Sequence, residues 1–380
     1  MPTVKRVYFI DWLRIISVAL LIPHHAAITF SYIGDTYVYA PVRDMSPYFF
    51  IQSYFFNIWF MRLLFLVSGF SSWHSLQRRS DSGFLLERIK KVIIPLVVGI
   101  CVICPPMAFL RARQSYGFTG NFFSFYPEFF RSFVSGKYLG WGHLWFLAYL
   151  FVYSVILVFY RIAEKRCSAF TKQIVRIVTK NPVVPLLYCI VVEMIFRPFF
   201  PGKQNLYADW ANVLLYGFFF YYGYLIAENP ALLDRITSDI RKLAVIAPCA
   251  FISFLILNAV KLYSVLPDVT SSYPYALLEA FFRGTAEYAW VMLILGFARN
   301  HMNTDGKVRR YLSESSFALY LFHYVLLSYV MYVLLGTKWN NGLVFVMGIV
   351  ITYALFFVCY ELIIRRIPVL RALCGIKQAG

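Results

Sequence analysis

The stretch FIDWLRIISVALLIPHHAAITF, residues 9–30, is an apolar run broken by Asp11, Arg14, His24 and His25. A charge at bilayer depth costs about 2.5–3.5 kcal/mol on insertion scales, so such groups face a protein interior and mark substrate sites, proton relays or ion paths. Asp11, Arg14, Val18, Leu21 and His25 follow one another at spacings of 3, 4, 3 and 4, which places them on one stripe of a helix. Arg14 and His25 are separated by about three turns and ~16 Å of rise. His24 is rotated about 100° from His25 and is expected to face elsewhere. Pro23 lacks an N–H and predicts a loosened hydrogen-bond ladder beside the histidines. Blander readings compete with this one. Asp11 and Arg14 could form a local i,i+3 ion pair at the helix start, and His25 could simply bond a neighbouring helix.

Other ionisable residues interrupt apolar runs further along the chain. Arg62 lies in FMRLLFLVSGFSSW, seven residues before Gly69, and the Ser68-Gly69 pair predicts a small-residue surface for close helix packing. Glu279, Arg283 and Glu287 fall at i, i+4 and i+8, a spacing that suits an internal ion-pair ladder or a substrate contact. Glu193 and Arg197 repeat the i,i+4 spacing and read as a structural pair. Tyr320 and His323 share the run SSFALYLFHYVLL; a single histidine there is more often structural than catalytic. Glu361, beside a basic end, predicts a snorkelling salt bridge. Cys101 and Cys104 make a CxxC in VGICVICPP with no second pair nearby, and read as buried small apolar residues.

The elements that position these groups follow from composition. Of 380 residues, 60% are hydrophobic and only 14% charged, and the mean hydropathy is +0.65. Soluble domains are about half apolar and a quarter charged. The expected fold is all-α: a polytopic integral membrane protein with about ten transmembrane helices. Candidate spans lie near 8–32, 52–74, 92–110, 143–161, 183–200, 212–228, 244–262, 276–298, 315–335 and 342–364, each approaching the ~20 residues that cross a bilayer. The net charge of +18 does not imply nucleic acid, because the basic residues cluster in loops. One alternating set of loops and termini holds 24 Lys and Arg and the other 9, which places both termini in the cytoplasm. The N-terminal run is read as a retained first span and not a signal peptide, since Asp11 and Arg14 interrupt it. The aromatic segment 111–142 is then the longest outer loop.

Several stretches together resemble membrane acyltransferase family 3. They are the arginine, ten residues, histidine pattern of Arg14 and His25; FLVSGF at 65–70; ERIKKVIIP at 87–95; and ALYLFH at 318–323. Within the family, IDWLR (10–14), FMRLLFLVSGF (60–70), GHLWFL (142–147) and YELIIRRIPVLRALCGIK (360–377) are closest to the members that succinylate periplasmic glucans. The resemblance covers nearly the whole chain, so residues 1–380 are expected to form one transmembrane acyltransferase domain. Its motif-bearing helices would be 8–161 and 313–377, and the poorly matching middle, 162–312, would shape the acceptor site.

The resemblance implies transfer of an acyl group, succinyl or acetyl, from cytoplasmic acyl-CoA to a hydroxyl of an extracytoplasmic glycan. His25 would be the general base; an ordinary histidine, with a pKa near 6.5, can take a proton at neutral pH. Arg14 would line the donor path or steady the thioester. Arg62, His143, Trp145 and His323 match family positions and would line the same cavity. Arg283, with Arg62 and Arg197, is a candidate partner for a carboxylate on the acyl group. Arg88, Lys90 and Lys91 are candidate partners for the CoA phosphates. The donor, succinyl-CoA or acetyl-CoA, is a substrate; no tightly bound cofactor and no metal is required. The expected partners are acyl-CoA, the glycan and the lipid bilayer, and the expected location is the cell inner membrane. The rival class is a secondary transporter using the intramembrane Arg, Glu and His as a substrate or proton path. Such folds carry internal repeats, and no repeat is evident by eye.

Overall fold

The computed structural model describes residues 7–31, 46–132, 137–138, 140–166, 168–200, 202 and 205–376. Among these, every regular element is helical. Eight helices are long and apolar enough to cross a membrane: Tyr8–Ile28, Pro47–Leu76, Asp81–Ser115, Gly142–Lys165, Trp210–Glu228, Ile240–Leu262, Lys307–Leu335 and Asn341–Ile364. The two remaining candidate spans are helices of a different kind. Val183–Phe196 is apolar but has only 14 residues, about 21 Å of rise against a hydrocarbon core of ~30 Å. Tyr273–His301 has 29 residues but carries Glu279, Arg283 and Glu287 in its first half. The segment expected as one long outer loop is partly helical: Asp81–Ser115 runs on into its start, and Phe122–Arg131 forms a helix of its own in its middle. The outermost charges at both termini, and much of the loop between the first two spans, lie outside the described residues.

The chain divides into two compact units. The first comprises Met1–Arg14, Tyr54–Leu86 and Tyr149–Asp305. Its closest helix contact runs between Pro47–Leu76 and Trp210–Glu228 and depends on two glycines. A Cβ on Gly69 would stand 1.7 Å from the Phe220 carbonyl oxygen, and one on Gly223 would stand 2.0 Å from that of Leu66. Only hydrogen fits at either place, so the small-residue surface predicted at Ser68-Gly69 is used as expected. A second contact in this unit packs Ile58, Ala250, Phe251, Phe254 and Ala286 together, with Tyr54, Phe55 and Trp290 against them. The start of the first helix leaves N–H groups without a partner in its own ladder; those of Tyr8 and Phe9 donate to Asn303 Oδ1 at 2.9 and 3.3 Å.

The second unit comprises Ile15–Ser53, Glu87–Ala148 and Gly306–Gly380. Here the first span breaks at Leu20, into Tyr8–Ala19 and Leu21–Ile28, as Pro23 predicted. Pro23 has no N–H to give to the carbonyl of Ala19, four residues earlier. The Tyr353 hydroxyl donates to that oxygen instead, at 2.5 Å. The same unit holds two π-helical turns, Ile89–Ile93 and Gly99–Ile103, within the third span. Its C-terminal part is tied by polar contacts between the two last spans. Tyr311 and Tyr360 donate to Glu361 and Glu314 at 2.8 and 3.0 Å, and Arg365 pairs with Glu361 at 3.1 Å. This is the snorkelling bridge expected at Glu361. Of the CxxC, Cys104 is buried and Cys101 partly so, and neither is in a disulfide.

Candidate active site

Three chain segments of the second unit bring histidines together. His25 comes from the short helix after the Leu20 break and is half-buried. His143 sits in a single 3-10 turn, Gly142–Leu144. His323 lies on Lys307–Leu335 and has no exposed surface. The ring centroid of His323 is 5.5 Å from that of His25 and 5.0 Å from that of His143. Tyr324 completes the cluster, its ring 4.3 Å from His25 and 5.4 Å from His143.

Backbone carbonyls hold two of the rings. His143 Nε2 lies 3.0 Å from the Leu321 oxygen, and His323 Nδ1 lies 2.8 Å from the Tyr320 oxygen. A carbonyl only accepts, so each of these nitrogens is assigned the proton. In the neutral rings the lone pairs then sit on His143 Nδ1 and His323 Nε2. His323 Nε2 has no hydrogen-bond partner among the described residues. The turn carrying His143 is held in its turn by Tyr320, whose hydroxyl donates to the His143 carbonyl at 2.9 Å. It opens with Gly142 at φ +49°, a left-handed conformation that glycine adopts without the Cβ penalty. Among the described residues no group of three or more His, Cys, Asp or Glu could hold a metal ion. The cluster presents lone pairs among closely spaced, tilted and edge-on rings, which suits accepting and passing a proton.

The structure thus joins His25, His143 and His323 in one unit. Trp145, buried at the start of the helix Trp145–Arg166, belongs to the same unit. Arg14 does not: it belongs to the first unit and donates to Asp11 at 2.9 Å with its side chain 37% exposed. The local ion-pair reading of Asp11 and Arg14 is therefore realised. Of the basic residues before Pro95, Lys90 and Lys91 are exposed, and Lys91 pairs with Glu87 at 2.8 Å.

Arg62 and Arg283 belong to a buried ion network in the first unit. Arg62 pairs with Glu287 and donates to the Asn57 carbonyl at 2.8 Å, with the Tyr216 ring 5.6 Å away. Arg197 grips both oxygens of Glu193, at 2.6 and 2.8 Å, and reaches Asn212 at 2.9 Å. Arg283 Nε lies 3.1 Å from Glu287 and 3.5 Å from Glu193. Both glutamates are fully buried. The expected ladder of Glu279, Arg283 and Glu287 is only half formed. Glu279 turns to Lys261, at 3.7 Å, because the two buried carboxylates claim the arginine from the other side. That Glu193 and Glu287 together neutralise Arg62 was not legible from spacing, since Glu287 lies 225 residues from Arg62. Nor was Tyr324, whose only sequence signal is that it adjoins His323.

A family model described as an acyltransferase domain matches residues 7–361. The chain belongs to this family, acyltransferase family 3, and its apolar helices make it a multi-pass membrane protein. No curated protein and no solved structure matches it.

Proposed function

We propose that the protein is a membrane O-acyltransferase that moves an acyl group from cytoplasmic acyl-CoA to a hydroxyl of an extracytoplasmic glycan. The observation that carries this reading is the convergence of His25, His143 and His323 within a chain of an acyltransferase family. His25 takes the proton of the acceptor hydroxyl as its oxygen attacks the thioester carbonyl. The C–S bond breaks, and the proton passes to the departing sulfur to give free CoA thiol. His323 and His143, with tautomers set by backbone carbonyls, and Tyr324, tilted against His25, hold the base in place. Arg88, Lys90 and Lys91 meet the CoA phosphates, and Trp145 lines the substrate path. The middle of the chain, 162–312, shapes the acceptor site, and the enzyme works in the cell inner membrane with both termini in the cytoplasm.

The finer likeness is to glucan biosynthesis protein C, carried by IDWLR, FMRLLFLVSGF and GHLWFL. It favours succinyl as the acyl group and a periplasmic glucan as the acceptor. Membership of an acyltransferase family does not favour the transporter reading. The test uses membranes bearing wild type or His25→Ala, supplied with radiolabelled succinyl-CoA or acetyl-CoA, and follows label into glycan. Label from one donor, lost in the variant at equal protein level, is the expected result. Full transfer by His25→Ala would remove the histidine from its role, and no transfer by wild type from either donor would sink the enzyme reading.

A further inference from the structure

The ion network of the first unit has an unused edge. Three arginines, Arg62, Arg197 and Arg283, meet Glu193 and Glu287, and a third buried carboxylate, Asp209, is joined to Arg197 through Asn212. The guanidinium nitrogens are not equally spent. Arg197 uses Nε and Nη2 on Glu193, Nη2 also on Asn212, and Nη1 on the Phe200 carbonyl at 3.3 Å. Arg62 uses Nη1 on Asn57 and Nη2 on Glu287, and its Nε is buried, closed off from any ligand, with no hydrogen-bond partner among the described residues. Arg283 differs. Its Nε faces the two carboxylates, and among the described residues neither Nη1 nor Nη2 has a hydrogen-bond partner.

The surroundings hold that edge in one orientation. Phe254 lies 5.8 Å from the Arg283 guanidinium carbon and is itself packed in the core with Ile58, Phe251 and Ala286. The two buried glutamates anchor the opposite edge. The Arg283 side chain is 23% exposed, the most open of the three arginines. Glu279, one turn away and able to neutralise it, is drawn to Lys261. The result is a planar pair of donors on a partly exposed side chain, held by an aromatic face and an ion pair. A guanidinium so presented matches the two oxygens of a carboxylate or phosphate.

We propose that the free edge of Arg283 is a binding site for an oxyanion, a carboxylate or phosphate group carried by a substrate. The site stands on the geometry of the first unit alone. Its place in a reaction rests on the acyl-transfer reading, where the anion belongs either to the transferred acyl group or to a charged substituent of the acceptor.

The test uses the full chain in a neutral detergent, with malonate, inorganic phosphate and the uncharged malonamide as probes and the thermal midpoint as readout. Malonate or phosphate should raise the midpoint saturably, and malonamide should not. Arg283→Gln should abolish the shift. Arg283→Lys, which keeps the charge and loses the fork, should weaken binding about tenfold and serves if the glutamine variant does not fold. No shift with either anion in wild type, or the same shift in both variants, overturns the proposal whether or not the protein transfers acyl groups. In transfer assays on wild type, inhibition by malonate that competes with a carboxylate-bearing acyl-CoA places the anion on the donor. Competition with the glycan places it on the acceptor.

Discussion

The two polar clusters of this protein solve the burial of polar groups in opposite ways. The histidine cluster of the second unit uses groups that are uncharged when deprotonated. Two of its rings give an N–H to a backbone carbonyl, and their other nitrogens retain a lone pair. The arginine–glutamate network of the first unit uses full charges, brought together so that each carboxylate meets more than one guanidinium. Removing a charge from water is expensive, and an ion pair offsets that cost only with good geometry and additional hydrogen bonds. Charges held by several partners at once have little freedom to move. A neutral imidazole costs less to bury and can still gain or lose a proton. The comparison teaches that the arginine–glutamate network is organised to hold a shape, while the histidine cluster keeps neutral groups with lone pairs at depth.

The sharpest way to break this contrast is to truncate one member of each cluster and compare activity with stability. His25→Ala should lower acyl transfer by roughly 10²–10⁴-fold, the usual worth of a positioned general base, while the thermal midpoint in detergent stays near that of wild type. Arg62→Ala should do the reverse in kind. It leaves Glu287 buried without its partner, and stability should fall by about 3–5 kcal/mol, measured by thermal or denaturant unfolding. An Arg62→Ala protein as stable as wild type would show that the network is not the scaffold described here. Replacing Tyr353 by Phe should cost about 0.5–1.5 kcal/mol, because it strips the Ala19 carbonyl of the donor that stands in for Pro23. The smallest effect is expected at Lys91→Gln. Its exposed pair with Glu87 contributes less than about 1 kcal/mol to stability, so any sizeable rise in KM for acyl-CoA would report a contact with the donor and not with Glu87.

Much of the site was legible in the sequence wherever the interaction is local. Asp11 with Arg14 and Glu193 with Arg197 pair at i,i+3 and i,i+4 as spacing suggested, because the helix fixes those distances. Pro23 announced the break at Leu20, since a missing N–H is a property of one residue. The stripe from Arg14 to His25 was less informative. A shared helix face says where side chains point and not what meets them: Arg14 found Asp11, and His25 found His323 and Tyr324. Spacing was misleading at Glu279. A regular i,i+4,i+8 series suggests a ladder, yet Arg283 is held by Glu287 and Glu193 while Glu279 faces Lys261.

By itself the sequence determined that the chain is helical and crosses a membrane, because those properties follow from hydropathy summed over some twenty residues and from the absence of water to satisfy an open backbone. It also determined which residue types would stand at depth. Only the tertiary structure decided which of them meet. His25, His143 and His323 come from three separated segments, and Arg62 from a helix more than two hundred residues before its carboxylate. Such meetings depend on helix-to-helix contacts like that of Gly69 with Phe220 and Gly223 with Leu66. Close packing, unlike helix periodicity, depends on the shapes of both partners at once.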